Sequence, residues 1–382
     1  MPPSHILISA GEASGDMYAA RLAVALQARA EVRLFGMGGP RMREAGVELL
    51  AECHEVSVVG ILEVLKKLPV LNRVWDRLLE QSRRRKPDLA ILTDFPGFHV
   101  RLARVLKRQG IRNVFFVSPQ FWAWRPWRAR LVRRRFALAL CIFPFEEPWY
   151  RARGVAAQFI GHPLVGEVRA GRTRAEFASW LHLDAARPIV ALLPGSRPGE
   201  ITQHLPTLVQ ACRLIQQQRP VQFVVPLAPD VEAADLERYF PPDVPVRAVA
   251  DATYDALAAA DLAIVSSGTA TIEAALLNTP MIVIYRVAPL TAAIARFLVL
   301  TDMYAMVNLI AGERVVPELI QNDFTAEKVA KQALALLDSP EAIAKIRVGL
   351  NAVRTRLGPA GAIDRAADII VAMLNQPGEA NR

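Results

Sequence analysis

The chain has 382 residues, of which 52% are hydrophobic, so a disordered protein is excluded and two domains are favoured over one. Its formal net charge is +9, and its three cysteines are too few and too far apart for a disulfide framework or a zinc site. We expect no signal peptide and no membrane span, because the longest apolar stretch, Phe136 to Phe145, is about half the length of a spanning helix.

Strand-like and helix-like segments alternate along the first part of the chain. The predicted strands are His5–Ala10, Val32–Gly36, Leu89–Thr93, Val114–Ser118, Leu138–Phe143 and Gln158–Gly161. The predicted helices begin at Ser14, span about Ile61–Arg85 and lie near Gly97–Gln109. This alternation predicts an α/β fold in which helices cover both faces of a parallel sheet.

A turn of small residues, Gly11 to Asp16, follows the first predicted strand. It lacks the G-x-G-x-x-G spacing, and Glu12 would repel a phosphate, so a dinucleotide site is disfavoured. Gly11, Ser14 and Gly15 are candidates for contact with a substrate. The alternative is a plain strand-to-helix turn with Ser14 as its N-cap.

An aliphatic segment with two lysines suggests contact with a membrane. Lys66 and Lys67 lie between Val58–Leu65 and Leu68–Leu71, a pattern typical of an interfacial segment. The candidate acyl contacts are Val58, Val64 and Leu65. If this interpretation is wrong, the segment is ordinary core.

Asp94 directly follows the predicted strand Leu89–Thr93. A carboxylate at the carboxyl end of a parallel strand lies where such sheets bind ligands, and it can act as a general base for a hydroxyl acceptor. The alternative is that Asp94 only caps the following helix.

Arginines and tryptophans cluster after the fourth predicted strand, Val114–Ser118. The cluster comprises Trp122, Trp124, Arg125, Trp127, Arg128, Arg130, Arg133, Arg134 and Arg135. It suits an anionic membrane surface, with Arg125 and Arg128 as the candidate contacts. Nucleic acid is disfavoured because no nucleic-acid module accompanies the cluster, and a solvated helix face remains the alternative.

The alternation resumes from Ile189 to Ile284, and helices are predicted at about Thr325–Leu337, Pro340–Leu357 and Ala360–Leu374. We place the domain break at Gly161–Leu164. The expected domains are residues 1–164, residues 165–357 and a C-terminal helix over 358–382. Two α/β domains facing each other across a cleft are typical of nucleotide-sugar transferases and also of two-domain binding proteins.

Two corners of the second domain predict a nucleotide diphosphate site. In the first, Ser267, Gly268 and Thr269 lie between an apolar strand and a helix, so free N–H groups and hydroxyls can face a phosphate while Glu273, placed in the first turn, reaches a ribose. In the second, Arg197 follows a strand and a glycine turn. The alternatives are an ordinary capped corner and a surface arginine.

Metal and cofactor chemistry find no support in the sequence. There is no D-x-D motif, and the six histidines show no ligand spacing. We therefore expect no metal and no cofactor. A transferase without a bound divalent metal must neutralise its departing diphosphate with helix ends and arginine, which the two corners offer.

The chain resembles the bacterial lipid-A-disaccharide synthases nearly from end to end. The segments that carry the resemblance are Ser9–Asp16, Phe35–Gly39, Val58–Leu65, Phe143–Glu146, Leu193–Arg197, Ser267–Ala270 and Thr301–Leu309. The combination is highly specific, although no single segment is.

The resemblance implies an inverting glycosyltransferase with two Rossmann-like domains, the GT-B architecture. It implies transfer from UDP-2,3-diacylglucosamine to 2,3-diacylglucosamine 1-phosphate (lipid X), giving the β-1',6-linked disaccharide of lipid A and UDP. It also implies a cytoplasmic protein bound peripherally to the inner membrane, and it allows a homodimer that exchanges C-terminal elements.

Site residues carry over by position. Asp94 matches an aspartate that the family needs for activity. The positions that match the UDP pocket are Arg197, Ser267, Gly268, Thr269, Glu273, Asn308 and Gln321. Gly97 and His99 depart from the family pattern, which commonly has aspartate and asparagine there, and Gln120-Phe121 replaces a smaller Ser-Val pair.

Two other functions fit parts of the pattern. A UDP-sugar 2-epimerase can share this fold, but it handles a soluble sugar and would not need the apolar segment Val58–Leu65. A non-enzymatic nucleotide-binding protein at the membrane surface would explain the phosphate corners and the basic cluster, but it would leave Asp94 without a role.

Overall fold

The structure is a computed structural model that describes residues 3–56, 61–184, 186–227, 233, 236, 238–287 and 301–376, with backbone only at 54, 56, 61–68 and 198. The chain divides into two compact units. Unit 1 comprises Met1–Pro163 with Gly358–Arg382, and unit 2 comprises Leu164–Leu357.

Within the described residues, unit 1 contains a sheet of seven parallel strands in the order β3-β2-β1-β4-β5-β6-β7. The strands are β1 Ser4–Ala10, β2 Val32–Gly38, β3 Glu48–Glu52, β4 Leu89–Thr93, β5 Arg112–Phe116, β6 Leu138–Cys141 and β7 Ala157–Phe159. The side chains of Ile6, Leu7 and Ile8 in β1 are all fully buried, as expected for a parallel strand covered on both faces.

The helices of unit 1 cover this sheet. They are α1 Ala13–Gln27, α2 Pro40–Glu44, α3 Cys53–Val56, α4 Ile61–Arg85, α5 Pro96–Arg108, α6 Phe121–Trp124, α7 Ala129–Arg135 and α8 Glu146–Arg151. The apolar faces of α4 and α5 join the core around Leu78, Leu102 and Phe115.

A C-terminal helix, Ala362–Asn375, also belongs to unit 1. It packs on α1, where Arg29 forms ion pairs with Asp364 at 2.8 Å and with Asp368 at 2.7 Å. Arg365 Nε donates to the Ile160 carbonyl oxygen at 2.9 Å. The chain therefore returns to its first unit after completing the second.

Unit 2 contains, among its described residues, a six-stranded parallel sheet in the order β10-β9-β8-β11-β12-β13. The strands are β8 Ile189–Leu193, β9 Gln222–Pro226, β10 Val246–Val249, β11 Leu262–Ser266, β12 Met281–Tyr285 and β13 Glu318–Ile320. The described helices are α9 Arg174–Trp180, α10 Pro198–Gln218, α11 Thr253–Ala259, α12 Thr269–Leu276, α13 Met306–Ala311, α14 Ala326–Leu337 and α15 Pro340–Arg356.

Both sheets reverse their strand order at one point, and the predicted site residues follow the strands that meet there. In unit 1, Ala10 of β1 pairs with Thr93 of β4, and Asp94 comes next. In unit 2, Leu193 of β8 pairs with Val265 of β11. Crevices at such switch points are where open α/β sheets bind ligands.

The predicted fold class, two α/β units with parallel sheets and C-terminal helices, is confirmed. The strand Glu48–Glu52 was not expected, because glutamate, leucine and alanine favour helices. Pairing with β2 at the sheet edge overrides this local preference.

Candidate active site

Asp94 lies at the carboxyl end of β4, where two consecutive residues have left-handed backbone. The φ angles are +52° at Asp94 and +41° at Phe95. Residues other than glycine adopt this conformation infrequently, and such residues concentrate at functional sites. The backbone N–H of Gly11 donates to Asp94 Oδ1 at 2.9 Å, which links the ends of β1 and β4.

The two carboxylate oxygens of Asp94 have different surroundings. The residue as a whole is half-buried, but Oδ2 is buried and accepts no hydrogen bond from the described residues. Burial raises the pKa of Asp94 well above its usual range, and the nearby charges of Glu12 and Asp16 add to this, against the opposing N–H groups of Gly11 and Glu12. A carboxylate with a raised pKa and one uncommitted oxygen is suited to accept a proton.

The turn after β1 packs directly against Asp94. A Cβ on Gly15 would overlap Asp94 Oδ2, and a Cβ on Gly11 would lie 2.5 Å from Phe95 Cβ. These glycines therefore allow the loop Asp94–Phe95 to approach α1. The alternative role of Ser14 as N-cap is wrong, because α1 begins at Ala13 and Glu12 is its N-cap residue.

His99 fixes the backbone of Asp94 through a hydrogen bond to its carbonyl oxygen. Its side chain is fully buried. Nδ1 lies 2.9 Å from the Asp94 carbonyl oxygen, and Nε2 lies 2.8 Å from Ser9 Oγ. Burial lowers the pKa of His99 to about 4, so the neutral ring donates from Nδ1 to Asp94 and accepts at Nε2 from Ser9. The sequence showed His99 only as a departure from the family pattern.

The loop with the tryptophans is anchored by the buried Glu146. Its carboxylate accepts hydrogen bonds from Ser118 Oγ at 3.0 Å and Trp122 Nε1 at 3.2 Å, and also from the N–H groups of Ile142 and Phe143. Burial raises the pKa of Glu146 to about 7, although these donors oppose the shift. The segment Phe143–Glu146 therefore has a structural role in holding the end of β5.

The predicted membrane contacts are only partly within the described residues. Arg125 lies over the ring of Trp124 at 4.5 Å, and Arg128 lies 5.4 Å from the ring of Trp127. Val58 and the side chains of Val64 and Leu65 lie outside the described residues.

In unit 2, the corner after β11 presents two exposed residues, Gly268 and Thr269, at the start of α12. Within the described part of the chain, their N–H groups meet no backbone acceptor. Ser267, also a predicted UDP contact, forms hydrogen bonds within the protein. Its N–H donates to the Ile284 carbonyl oxygen at 2.9 Å, and its hydroxyl donates to the Tyr304 carbonyl oxygen at 3.0 Å. The amides of Gly268 and Thr269 therefore remain for an anion.

Glu273 lies one turn farther along α12 than predicted, because the helix begins at Thr269. Its carboxylate accepts a hydrogen bond from the Tyr254 hydroxyl at 3.1 Å. Burial raises the pKa of Glu273, and the hydrogen bond from Tyr254 opposes this.

Arg197 is the N-cap residue of α10 and is half exposed, with 48% of its side chain accessible. Its Nη1 lies 3.6 Å from Glu200 Oε1. Gly195 before it has a φ of +129°, and a Cβ there would lie 2.6 Å from Glu200 Cβ. The glycine thus lets the turn fold tightly over the first turn of α10 and leaves the arginine at its mouth.

Two residues that sequence reasoning missed tie this corner to the end of β12. Buried His204 donates from Nδ1 to the Pro194 carbonyl oxygen at 2.6 Å and accepts at Nε2 from the Arg286 N–H at 2.9 Å. The Arg286 side chain donates to Thr207 Oγ1 at 2.9 Å and to the Phe324 carbonyl oxygen. No motif indicated these residues, because their contacts are long-range.

The Asn308 side chain is held by hydrogen bonds within the protein, and Gln321 lies at the start of a turn. The Asn308 side chain is fully buried, donates to Val316 O and Glu318 Oε1, and accepts from the N–H groups of Val315 and Val316. Its hydrogen-bonding capacity is therefore filled within the protein. Gln321 has a φ of +54° and begins a 3-10 turn.

Among the described residues, no group of three or more histidine, cysteine, aspartate or glutamate side chains is arranged to hold a metal ion. In the same residues, no helix combines the length and apolar character needed to cross a bilayer.

Comparison with known proteins gives the family. The profile of the lipid-A-disaccharide synthetase family matches residues 6–366. The chain belongs to this family. It is 42% identical to the lipid-A-disaccharide synthase of Myxococcus xanthus (strain DK1622) over 97% of this chain and 98% of the relative. It is 41% identical to that of Geobacter sulfurreducens (strain ATCC 51573 / DSM 12127 / PCA) over 97% of both chains.

Solved structures show the same fold at low identity. The calicheamicin glycosyltransferase CalG4 matches with a TM-score of 0.62 and 17% identity over 100% of both chains. A putative UDP-N-acetylglucosamine 2-epimerase from Listeria monocytogenes matches with a TM-score of 0.64 and 15% identity, over 97% of this chain and 96% of that one. Since transferases and epimerases share the fold, membership of the lipid-A-disaccharide synthase family decides between them. The chain is a glycosyltransferase of lipid A biosynthesis.

Proposed function

We propose that unit 1 supplies the general base and unit 2 the diphosphate contacts for transfer from UDP-2,3-diacylglucosamine to 2,3-diacylglucosamine 1-phosphate. Asp94 removes the proton of the acceptor 6-hydroxyl while the oxygen attacks the anomeric carbon on the face opposite UDP. The bond from that carbon to the diphosphate oxygen breaks, and its electron pair leaves with UDP. The product is the β-1',6-linked disaccharide 1-phosphate.

The observation that carries this proposal is the uncommitted, buried Oδ2 of Asp94. The loop that holds it is fixed by Gly11 at one carboxylate oxygen and by His99 at the backbone. A residue with a purely capping role would accept an N–H group of the following helix with a side-chain oxygen. Here α5 accepts no side-chain cap, because the N-cap residue is Phe95.

The leaving diphosphate is bound by the N–H groups of Gly268 and Thr269 and by the guanidinium group of Arg197. These donors stabilise the negative charge that develops on UDP, and no metal or cofactor is required. Glu273 and Gln321 contact the nucleoside, whereas Ser267 and Asn308 act through the loops that they hold.

We also propose that the enzyme binds the cytoplasmic face of the inner membrane peripherally. Val58, Val64 and Leu65 supply apolar contact, and Arg125 and Arg128 bind anionic headgroups. Val64→Glu with Leu65→Glu should make binding to anionic vesicles fully releasable by high salt, as measured by sedimentation. Unchanged sedimentation of this variant would contradict the assignment.

Residues 1–164 would handle the acceptor and residues 165–357 the UDP-sugar. A homodimer can form by exchange of residues 358–382, with the ion pairs of Arg29 then made between subunits. Light scattering of the wild type and of Arg29→Glu tests this. In an exchanged dimer the variant removes ion pairs between the subunits, so it should weaken the dimer.

The transfer itself is tested by UDP release from a radiolabelled acylated donor. We expect release only when the lipid acceptor is present, together with a labelled disaccharide. Sugar epimerisation or binding without turnover would contradict the proposal.

A further inference from the structure

A pocket of about 530 Å³ lies in unit 1 between α4, α5 and α7. Its lining is unusual because five arginines contribute to it. They are Arg101, Arg104, Arg108, Arg128 and Arg135. The volume lies within the range of pockets that bind small ligands.

The helical repeat explains why the arginines converge. Three of them follow an i, i+3, i+7 spacing on α5: Arg101, Arg104 and Arg108. The same spacing recurs at Arg128, Leu131 and Arg135, where Arg128 is the N-cap residue of α7 and the other two lie within it. Residues at this spacing share one face of a helix, so each helix presents a stripe, and both stripes line the same pocket.

This positive charge is not neutralised by the protein. Arginines elsewhere pair with carboxylates, such as Arg85 with Glu48 at 2.6 Å and Arg174 with Asp261 at 2.8 Å. Within the described part of the chain, none of the five pocket arginines has such a partner. The Nε of Arg128 is buried and, among described residues, lacks a hydrogen-bond acceptor.

The arginines also repel one another. The pKa of Arg128 is lowered by burial and by the charges of Arg125 and Arg101, and that of Arg135 by burial and by Arg104 and Arg134. Holding like charges together in this way is unfavourable unless an anion enters the pocket.

The rest of the lining is apolar and includes two residues that follow the candidate base closely in sequence. Trp75, Val100, Val105 and Leu131 form the wall. Pro96 and Gly97 also line the pocket, and they follow Asp94-Phe95 directly. A Cβ at Gly97 would meet no described atom within 4 Å, so this end of the pocket is open.

We propose that this arginine pocket, including Arg128, binds the phosphate of the acylated acceptor instead of a phospholipid headgroup, and thereby places the acceptor hydroxyl at Asp94. Arg125 then remains the basic contact with the headgroups. The inference rests on the proposed transfer reaction. A phosphate monoester matches the arginine forks, and the apolar wall matches the adjoining acyl chains. From Pro96 to Arg101 the helix rises by about 7.5 Å, a span comparable with one sugar ring. A planar membrane surface would not require a concave site, whose lining here includes Pro96 and Gly97.

The test is the double variant Arg101→Gln with Arg104→Gln, assayed in neutral detergent micelles. Both arginines are exposed at the pocket rim, so the fold should persist. The matched control, Arg347→Gln with Arg354→Gln, removes the same charge from exposed positions of α15 in unit 2. KM and kcat are measured for 2,3-diacylglucosamine 1-phosphate and for the same acceptor without phosphate.

We expect KM for the phosphorylated acceptor to rise about tenfold or more in the pocket variant, with kcat within about twofold, because the lost contact is equal in ground and transition states. KM for the unphosphorylated acceptor, the affinity for UDP and the control variant should be unchanged. The ratio of KM for the unphosphorylated acceptor to KM for the phosphorylated acceptor should therefore fall in the pocket variant and not in the control.

Two outcomes would overturn the inference. An unchanged KM together with lost binding to anionic vesicles would assign the pocket to phospholipid headgroups. An equal rise in KM for both acceptors would assign the arginines a structural role. Failure of Asp94 as the base is a separate result, because it would appear as an unchanged kcat in Asp94→Asn and would leave the phosphate dependence of KM in place.

Discussion

Replacing His99 separates the two hydrogen bonds that hold the loop of Asp94. An asparagine amide nitrogen lies near the position of the imidazole Nδ1, whereas the longer glutamine reaches the position of Nε2. In the wild type, His99 lies 2.9 Å from the Asp94 carbonyl oxygen and 2.8 Å from Ser9 Oγ. His99→Asn therefore keeps the hydrogen bond to Asp94 and loses the one to Ser9. His99→Gln does the reverse.

Both variants should lose similar stability. Each leaves one polar partner unsatisfied in the interior, which costs about 1–3 kcal/mol. For a unit of this size, each kcal/mol lowers Tm by about 2–4 °C, so both variants should lose about 2–12 °C.

Their activities should differ. Only His99→Gln releases the left-handed backbone of Asp94, and a displaced catalytic group costs about a hundredfold in kcat. We expect His99→Asn to stay within about threefold of the wild type. Thermal unfolding and steady-state kinetics on both proteins provide the comparison, and equal kcat values for the two variants would refute a positioning role for His99.

Three further predictions concern the same site. Gly15→Ala should lower kcat about a hundredfold or more because its methyl group displaces Asp94 Oδ2, whereas Gly199→Ala, which meets no described atom within 4 Å, should be silent. Arg197→Ala should weaken UDP binding by about 1.5–3 kcal/mol, as measured by calorimetry, and EDTA should leave activity unchanged. Because burial raises the pKa of Asp94, its ionised form destabilises the fold. Asp94→Asn should raise Tm at pH 7–8, with the gain shrinking as the pH falls towards about 4, where the unfolded carboxyl protonates. A gain that grows with acidity would contradict this.

The elements with strong local signals could be predicted from the sequence. The strand Leu89–Thr93 and the helix Ile61–Arg85 have the predicted bounds, because an apolar run and a long amphipathic pattern each specify one structure. The corners at Arg197 and Gly268 also follow their strands as expected, since a strand, a small-residue turn and a helix are contiguous in the chain.

Errors arose where distant contacts override local preference. Glu48–Glu52 forms a strand because β2 offers an edge, and Ser14 is not an N-cap because α1 starts at Ala13 with Glu12 as its N-cap residue. Ser267 also has contacts that the local sequence does not indicate, because its N–H and hydroxyl groups donate to the carbonyl oxygens of Ile284 and Tyr304.

The environment of Asp94 could not be predicted from the neighbouring sequence, because it is formed by residues far away in the chain. Gly11 and Gly15 approach it from the end of β1, and His99 links it to Ser9, which lies 90 residues earlier than the histidine. The arginine pocket likewise depends on two helices whose stripes converge only in the folded unit. No single segment of the sequence contains either arrangement.

The role of Asp94 as the base is tested most directly by the turnover of Asp94→Asn with both lipid substrates, measured alongside its affinity for UDP. The amide keeps the shape of the side chain but cannot accept the proton. We expect kcat to fall by about 10²- to 10⁴-fold with UDP affinity unchanged. Turnover near the wild-type rate would contradict the assignment and would leave Asp94 as a structural residue of its loop.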